Sequence, residues 1–378
     1  MITYKFRLYP NEEQTQKLLW TLNKCRFVYN KMLEGLNKQD KPNRLELQNS
    51  IPKLKEKHPE LKKVYSKVLQ YESYRLFSNL RALAMLKKNG KKVGRLRFKG
   101  KGWFKTMVYN QSGFKITETD KRLDSLHLSK IGDIPIRIHR EVEGKIKQII
   151  VKRYNSGKWY ACVCVEDITE KEKKPIEKKV GIDVGIKHFL ADSDALQIEN
   201  PRYLNKSYKR LRRKQKKLSR KKKESNNYEK QKRKVAKVHE KIVNQREDFL
   251  HKLSKYYIDN YDFIAVEDLN IKNMVRNHHL SKHINDASWN HFIHFLSYKA
   301  ERAGKVVVRV NPRGTSQEYK FGRLDRDYNA SLNILQRGLE KVGMGQTEVT
   351  PVETEPLPIR ASSVIESGSS FLTSVASR

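Results

Sequence analysis

The sequence predicts a multidomain α+β protein: a small amino-terminal β-barrel carrying an inserted helical domain, followed by an α/β domain. Three observations predict it. Apolar residues alternate over 2–9, recur at helical spacing through most of 11–90, and alternate again in short runs from 91 to 167. A charged stretch, "ITEKEKKPIEKK" (168–179), then separates this half from the rest. Beyond it, strand-like and helix-like segments follow one another, as in an α/β domain. The 378 residues leave room for two or three domains and at least one sizeable core.

The charge balance narrows the partners. Lys and Arg number 80 against 42 Asp and Glu, a formal net charge of +38. Such an excess works against the compact state unless a polyanion compensates it. Nucleic acid fits, because each Lys or Arg can displace counterions from phosphates. An anionic membrane surface is the rival partner. No apolar run approaches the length of a spanning helix, and "MITYKFRLYP" lacks the apolar core of a signal peptide. The expectation is an intracellular, cytoplasmic and nucleoid-associated protein with no membrane partner. The three cysteines, Cys25, Cys162 and Cys164, make no disulfide framework and are too few for a four-ligand zinc site.

In chain order, "ITYKFRLYP" reads as a first strand ended by Pro10. Asn11 is a good N-cap, with Glu12 and Glu13 in the first turn and Gln14 placed for a capping box. Leu18, Leu22, Cys25, Tyr29, Met32 and Leu36 continue one helical face, and a second helical region runs from Asn43 to Lys88, broken near Pro59. From Lys91, "KKVGRLRFKGKGWFKTMVYNQSGFKI" sets cations beside aromatics. Phosphates pair with the first and bases stack on the second in nucleic-acid surfaces, although the same aromatics also suit a strand pair's core. Arg97, Lys99, Lys101, Trp103, Phe104 and Lys105 are the candidates here. Further alternating runs extend to Asp167, with a hairpin turn at Asn155-Ser156-Gly157. The first strand is expected to join this sheet, which makes the helical region an insertion.

Residues 178–194 give a strand, a Gly turn and a second strand. Residues 201–255 look like two long basic helices hinged at Ser225-Asn226-Asn227. Leu204, Tyr208, Leu211 and Leu218 could pack on Val235, Val238, Ile242, Phe249 and Leu253. Acids are too scarce there to neutralise the cations, so phosphate contact is expected, with Arg212, Arg213, Lys214, Lys221, Lys222 and Lys223 as candidates. "YDFIAVEDLNI" is a strand ending in acids, "SWNHFIHFLSYKAERAG" a helix, "KVVVRVNP" a strand, and "DRDYNASLNILQRGLEKV" a helix with acids at its start. Residues 344–378 lack periodicity and read as a disordered tail.

One charge stands out. Asp183 interrupts the apolar alternation of Val180, Ile182 and Val184, between Gly181 and Gly185. Glu267 ends a second strand, and Asp327 begins the final helix. Three carboxylates brought to one spot supply hard oxygen ligands for Mg²⁺. Two such ions can activate a water and stabilise a leaving 3′-oxygen. The flanking glycines would then leave room for metals and a phosphodiester.

The order strand-Asp, strand-Glu, helix-Asp resembles that of ribonuclease-H-like nucleases of the RuvC type. The likeness extends from residue 1 to about 340. "YKFRLYPNEEQTQKL…CRFVYNKML", "GRLRFKGKGWFKTMVYNQSGFKI", "VGIDVGIKHFLADSD", "IAVEDLNIKNMVRNHHLSKHINDASWNHFIHFLSYKAE", "VNPRGTSQ" and "DRDYNASLNIL" are similar to segments of the TnpB family, RNA-guided nucleases encoded by insertion sequences and relatives of type V CRISPR effectors.

The resemblance implies a β-barrel (wedge-like) domain at 1–10 and 91–170 and an inserted helical recognition domain at 11–90. After a linker at 171–177, it implies a RuvC-like domain at 178–343 with the basic hairpin 201–255. It implies Asp183, Glu267 and Asp327 as catalytic residues and ligands of a two-Mg²⁺ site, with Asp327 chosen over Asp325. The implied partners are a guide RNA transcribed from the transposon end and a double-stranded DNA target.

The family's zinc ribbon is missing. Only "EYKFGRL" (318–324) lies between "TSQ" and "DRD", with no cysteine. No zinc is therefore expected, and impaired cleavage is. The alternatives are a weak or inactive RNA- and DNA-binding member of the same family, or a transposase acting in strand transfer.

Overall fold

The computed structural model describes residues 1–120, 122–166, 172, 175–316, 325–344 and 357–364. The segment 318–324, residues 171, 173 and 174 of the expected linker 171–177, and the expected-tail segments 345–356 and 365–378 lie outside the described residues. The chain divides into two compact units on either side of residue 169.

The first unit begins with β1 (Ile2–Leu8), whose alternate residues Tyr4, Phe6 and Leu8 are buried. Helix α1 (Glu12–Leu36) starts at the capping box that Asn11 and Gln14 predict, each side chain bonded to the other's backbone N–H. Its apolar stripe, from Leu18 to Leu36, is buried. Helices α2 (Arg44–Asn49) and α3 (Ile51–Lys57) and a 3₁₀ turn at Pro59–Lys63 lead to α4 (Ser66–Lys88), so the break near Pro59 is real.

The strands β2 (Thr106–Asn110), β3 (Phe114–Thr117), β4 (Asp124–Leu128), β5 (Gly132–Arg137), β6 (Lys145–Arg153) and β7 (Trp159–Glu166) follow. With β1 they form a seven-stranded sheet in the order β2-β6-β7-β1-β5-β4-β3, antiparallel throughout. Its two edges, β2 and β3, are consecutive in sequence and joined only by the turn Gln111–Gly113. So short a tether holds the edges within about 15 Å of each other. The sheet therefore curls into a nearly closed barrel. The first strand sits between β7 and β5, so the sheet is completed across the helical insertion.

The second unit carries β8 (Lys179–Val184), β9 (His188–Asp192), β10 (Leu196–Glu199), α5 (Tyr203–Ser219), α6 (Asn226–Asn260), β11 (Phe263–Glu267), α7 (Ile271–Met274), α8 (His278–Ala287), α9 (Trp289–Ala303), β12 (Val306–Val310), α10 (Arg326–Lys341) and β13 (Leu357–Ile359). The sheet order is β12-β11-β8-β9-β10-β13. Strands β8, β11 and β12 run parallel, while β8, β9 and β10 form an antiparallel meander. Leu211 of α5 and Val235, Val238, Ile242, Phe249 and Leu253 of α6 are buried as their spacing predicts, but Tyr208 is exposed. The break between the two helices spans 220–225 rather than 225–227. Ser225 is the N-cap of α6, its hydroxyl accepting from the Tyr228 N–H.

Two expectations change here. Residues 357–364 are not tail-like. Strand β13 pairs in parallel with β10, and Ile359, Ala361 and Val364 are buried in the unit's core. Pro358 is tolerated because an edge strand needs no donor on its outer side. Second, Gly181 makes room for protein, not for ligand. A Cβ there would meet the backbone carbonyl oxygen of Ser331, and would lie 2.7 Å from Leu335 N and 2.8 Å from Leu335 Cβ, all on α10. Gly338 does the same from the helix side, where a Cβ would lie 2.6 Å from Ala265 Cβ. These two glycines let α10 lie directly on β8 and β11.

Gly181→Ala is accordingly expected to cost at least about 1–3 kcal/mol, the overpacking range, because the obstructing atoms are backbone. Gly94→Ala, in open space, should stay within about 0.5 kcal/mol of the parent. Urea unfolding of the full chain measures both. Equal stability of the two variants would overturn the seating of α10.

Candidate active site and basic surfaces

Three segments distant in sequence place the candidate acids. Asp183 sits on β8 at the centre of the sheet, and Glu267 is the last residue of the neighbouring parallel strand β11. Asp327 lies in the first turn of α10. Asp325 has a different task. It is the N-cap, its Oδ1 accepting from the Asp327 and Tyr328 N–H groups at 3.0 and 3.2 Å and from Gln197 Nε2 at 3.1 Å. Of the two acids in "DRDYNAS", the structure spends Asp325 on the helix end and leaves Asp327 inside the first turn.

Two of the three carboxyls are shifted. The Asp183 carboxyl is pushed up to about 7, first by burial and then by the negative charges of Glu267 and Asp327, with Arg326 pulling the other way. Glu267 is also raised by burial, opposed by a hydrogen bond from Thr315 and by the charge of Arg337. Asp183 is thus a carboxyl held partly out of water in the field of two other acids, a state a cation relieves. The donor set, all hard oxygen, suits Mg²⁺ rather than zinc. The cage is not closed: among the described residues no three His, Cys, Asp or Glu side chains stand close enough to hold a metal ion as they are.

The basic candidates fall into two places. In the first unit, Arg97 and Lys101 are exposed. Trp103 is 69% exposed, with the Lys99 ammonium 5.4 Å from its ring centroid. The Lys99 backbone is tied to α1, donating to Asn30 Oδ1 and accepting from Arg26 and Asn30. Lys105 is half-buried, and its carbonyl accepts from the Arg153 N–H.

Phe104 departs from the stacking expectation. It packs edge-on against Tyr29 at 5.6 Å beneath the Arg75 guanidinium, so its ring belongs to the core's margin. In the second unit Arg212, Arg213, Lys221, Lys222 and Lys223 are exposed. Lys214 is half-buried and lines a groove of about 330 Å³ between α5 and α6, with Lys206, Arg210, Lys234, Lys237 and Lys241. No acid lines that groove.

Sequence reasoning passed over Thr315, which bonds to Glu267, Asn333, which holds the Thr315 carbonyl, and Arg337, whose charge acts on Glu267. Polar residues beside "VNPRG" and on the inner face of the last helix were the available signal.

Residues 161–278 match a family model described as a probable transposase, OrfB of IS605. Residues 289–322 match the Cas12f1-like TNB domain. Residues 1–41 match a model described as a helix-turn-helix domain, although here they form β1 and the single helix α1. A Streptomyces pristinaespiralis protein named RNA-guided DNA endonuclease is 31% identical, over 90% of each chain. Escherichia coli K12 InsQ, named likewise, is 30% identical over 93% of this chain and 96% of its own. The Cas12f1 chain of a complex with guide RNA and target DNA superposes with a TM-score of 0.52 at 14% identity, covering 85% of this chain and 81% of that one.

The fold is therefore that of the Cas12f1-type effector chains. Within that class, the relatedness to the two named endonucleases is specific: the chain belongs to the TnpB family.

The acid cluster has a pH signature. A carboxyl whose folded value is raised from 3.8 to about 7 favours the fold fully below about pH 4 and loses that contribution as pH rises through 7. Asp183→Asn should thus raise the melting temperature in EDTA at pH 8 and raise it less at pH 5, where only part of that contribution has been lost. The same shift at both pH values would show that Asp183 carries no buried-charge cost.

Proposed function

We propose that this chain is an RNA-guided, Mg²⁺-dependent DNA endonuclease of TnpB type, encoded by a transposable element. One observation carries the catalytic part: Glu267 ends the strand paired with that of Asp183, one residue beyond the Ile182–Val266 pair, and the helix with Asp327 in its first turn packs on Gly181 of the same strand. Asp183, Glu267 and Asp327 would hold the metal. When bound, Mg²⁺ supplies Lewis-acid stabilisation of a phosphodiester and an activated water. The protein's own share is to gather the three acids, exclude part of the water around them, and keep Asp325 on the helix end and out of the reaction.

The surrounding parts take roles by the same reading. The barrel formed by 1–10 and 91–170 and the helices of 11–90 hold a guide RNA transcribed from the transposon end, Trp103 offering an exposed stacking face. The hairpin 201–255 of the nuclease domain 178–343 follows phosphates. Guide pairing reads the DNA target, and the protein reads only a short adjacent motif. The second reading is a member that binds without cutting. It is favoured by the lack of any cysteine in 317–324, where the family carries a zinc ribbon.

Co-expressed RNA, purified with the protein and sequenced, supplies the guide for a cleavage assay on matched DNA. Asp183→Ala, Glu267→Ala and Asp327→Ala should each abolish Mg²⁺-dependent cutting and leave RNA binding nearly intact. Asp325→Ala should cost about 1 kcal/mol of stability, as lost N-caps do, and still cut. Cutting lost in Asp325→Ala but kept in Asp327→Ala would reverse the assignment. Matched DNA left intact by the wild type would favour the non-cutting reading.

Neutralising Lys221, Lys222 and Lys223 together should flatten the salt dependence of nucleic-acid binding. Each lost phosphate contact lowers the log–log slope by about 0.7–0.9. An unchanged slope would make these lysines merely solvated.

A further inference from the structure

The geometry points to Thr315 as a positioning residue for Glu267, set by the same helix that carries Asp327; this rests on the metal-dependent reading above. Thr315 is 1% exposed. Its hydroxyl lies 2.5 Å from Glu267 Oε1 and 3.1 Å from the Pro312 carbonyl. It has one proton to give, and the shorter, charge-assisted bond to the carboxylate takes it. Among the described residues no bond is made to Oε2, so the second oxygen is left for a ligand.

The segment bearing Thr315 is itself clamped by α10. Asn333 Nδ2 donates to the Thr315 carbonyl at 2.8 Å, and Arg337 Nη1 donates to the Asn311 and Arg313 carbonyls at 3.1 and 2.6 Å. Asn333 and Arg337 are four residues apart, on one helical face. The helix that presents Asp327 thus also fixes the turn that orients Glu267. Removing the hydroxyl frees the Glu267 carboxylate to rotate while leaving its charge in place.

The test is calorimetric titration of Mn²⁺ into the full-length protein with its co-purified RNA, alongside guide-dependent cleavage. Thr315→Val, near-isosteric without the hydroxyl, should weaken Mn²⁺ binding about 10–100-fold, the usual cost of losing a ligand's hydrogen-bond partner. Cleavage at saturating DNA should fall with it, while KM for DNA is unchanged. Thr315→Ser, which keeps the hydroxyl, should restore both to within about threefold.

If Thr315→Val does not fold, Asn333→Ala reads the same linkage, and reduced Mn²⁺ affinity with intact RNA binding supports it. Wild-type Mn²⁺ affinity in a folded Thr315→Val or Asn333→Ala, or a Thr315→Ser as impaired as Thr315→Val, overturns the positioning role alone. A wild type that binds no Mn²⁺ sensitive to Asp183→Ala overturns the metal reading and this inference with it.

Discussion

The contact of α10 with the sheet is the constraint on which the second unit depends. Two missing side chains make it: Gly181 on β8 admits the helix backbone, and Gly338 on α10 admits the Ala265 side chain of β11. With α10 seated so closely, Asp327 reaches the field of Asp183, and Asn333 and Arg337 reach the turn beside Glu267. A single methyl at either glycine would tilt or lift the helix and move two of the three acids at once. The site is therefore as precise as a helix–sheet packing, which interiors hold with little play.

That packing concentrates negative charge inside a strongly positive molecule. The net charge is +38, yet Asp183 is crowded by two other acids and only partly opposed by Arg326. In the groove between α5 and α6, by contrast, cations gather with no acid among the lining residues. The two halves of the pattern suit one polyanionic partner: the outer cations attract phosphates, while the inner acids repel them unless a divalent cation mediates.

Much of this was legible in the sequence because it is local or periodic. The capping box at Asn11, the alternation of the barrel strands and the interrupted alternation at Asp183 all follow from spacing. What was not legible depends on neighbours distant along the chain. Periodicity showed that Gly181 was special but not that α10 would lie over it, so its purpose was misassigned to ligand space. Phe104 looked like a stacking aromatic because composition does not show that Tyr29 and Arg75 cover it. Strands β10 and β13 and helices α7 and α8 were passed over. They are short, and β13 is held by the edge of β10 rather than by its own pattern. Thr315 escaped notice because a lone hydroxyl has no sequence signature until its acceptor is known.

Chain order adds a consequence for assembly. The first unit has all its strands once β7 is made, and β1 then finds its place between β7 and β5. The second unit waits far longer. Its central strand arrives early with Asp183, but the helix that seats on Gly181 arrives late and the edge strand β13 later still. At typical synthesis rates roughly seven to thirty seconds separate Asp183 from Asp327. Throughout that interval β8 is without the helix that packs on Gly181. The second unit thus has all its described strands only after β13, long after the first unit has all of its own.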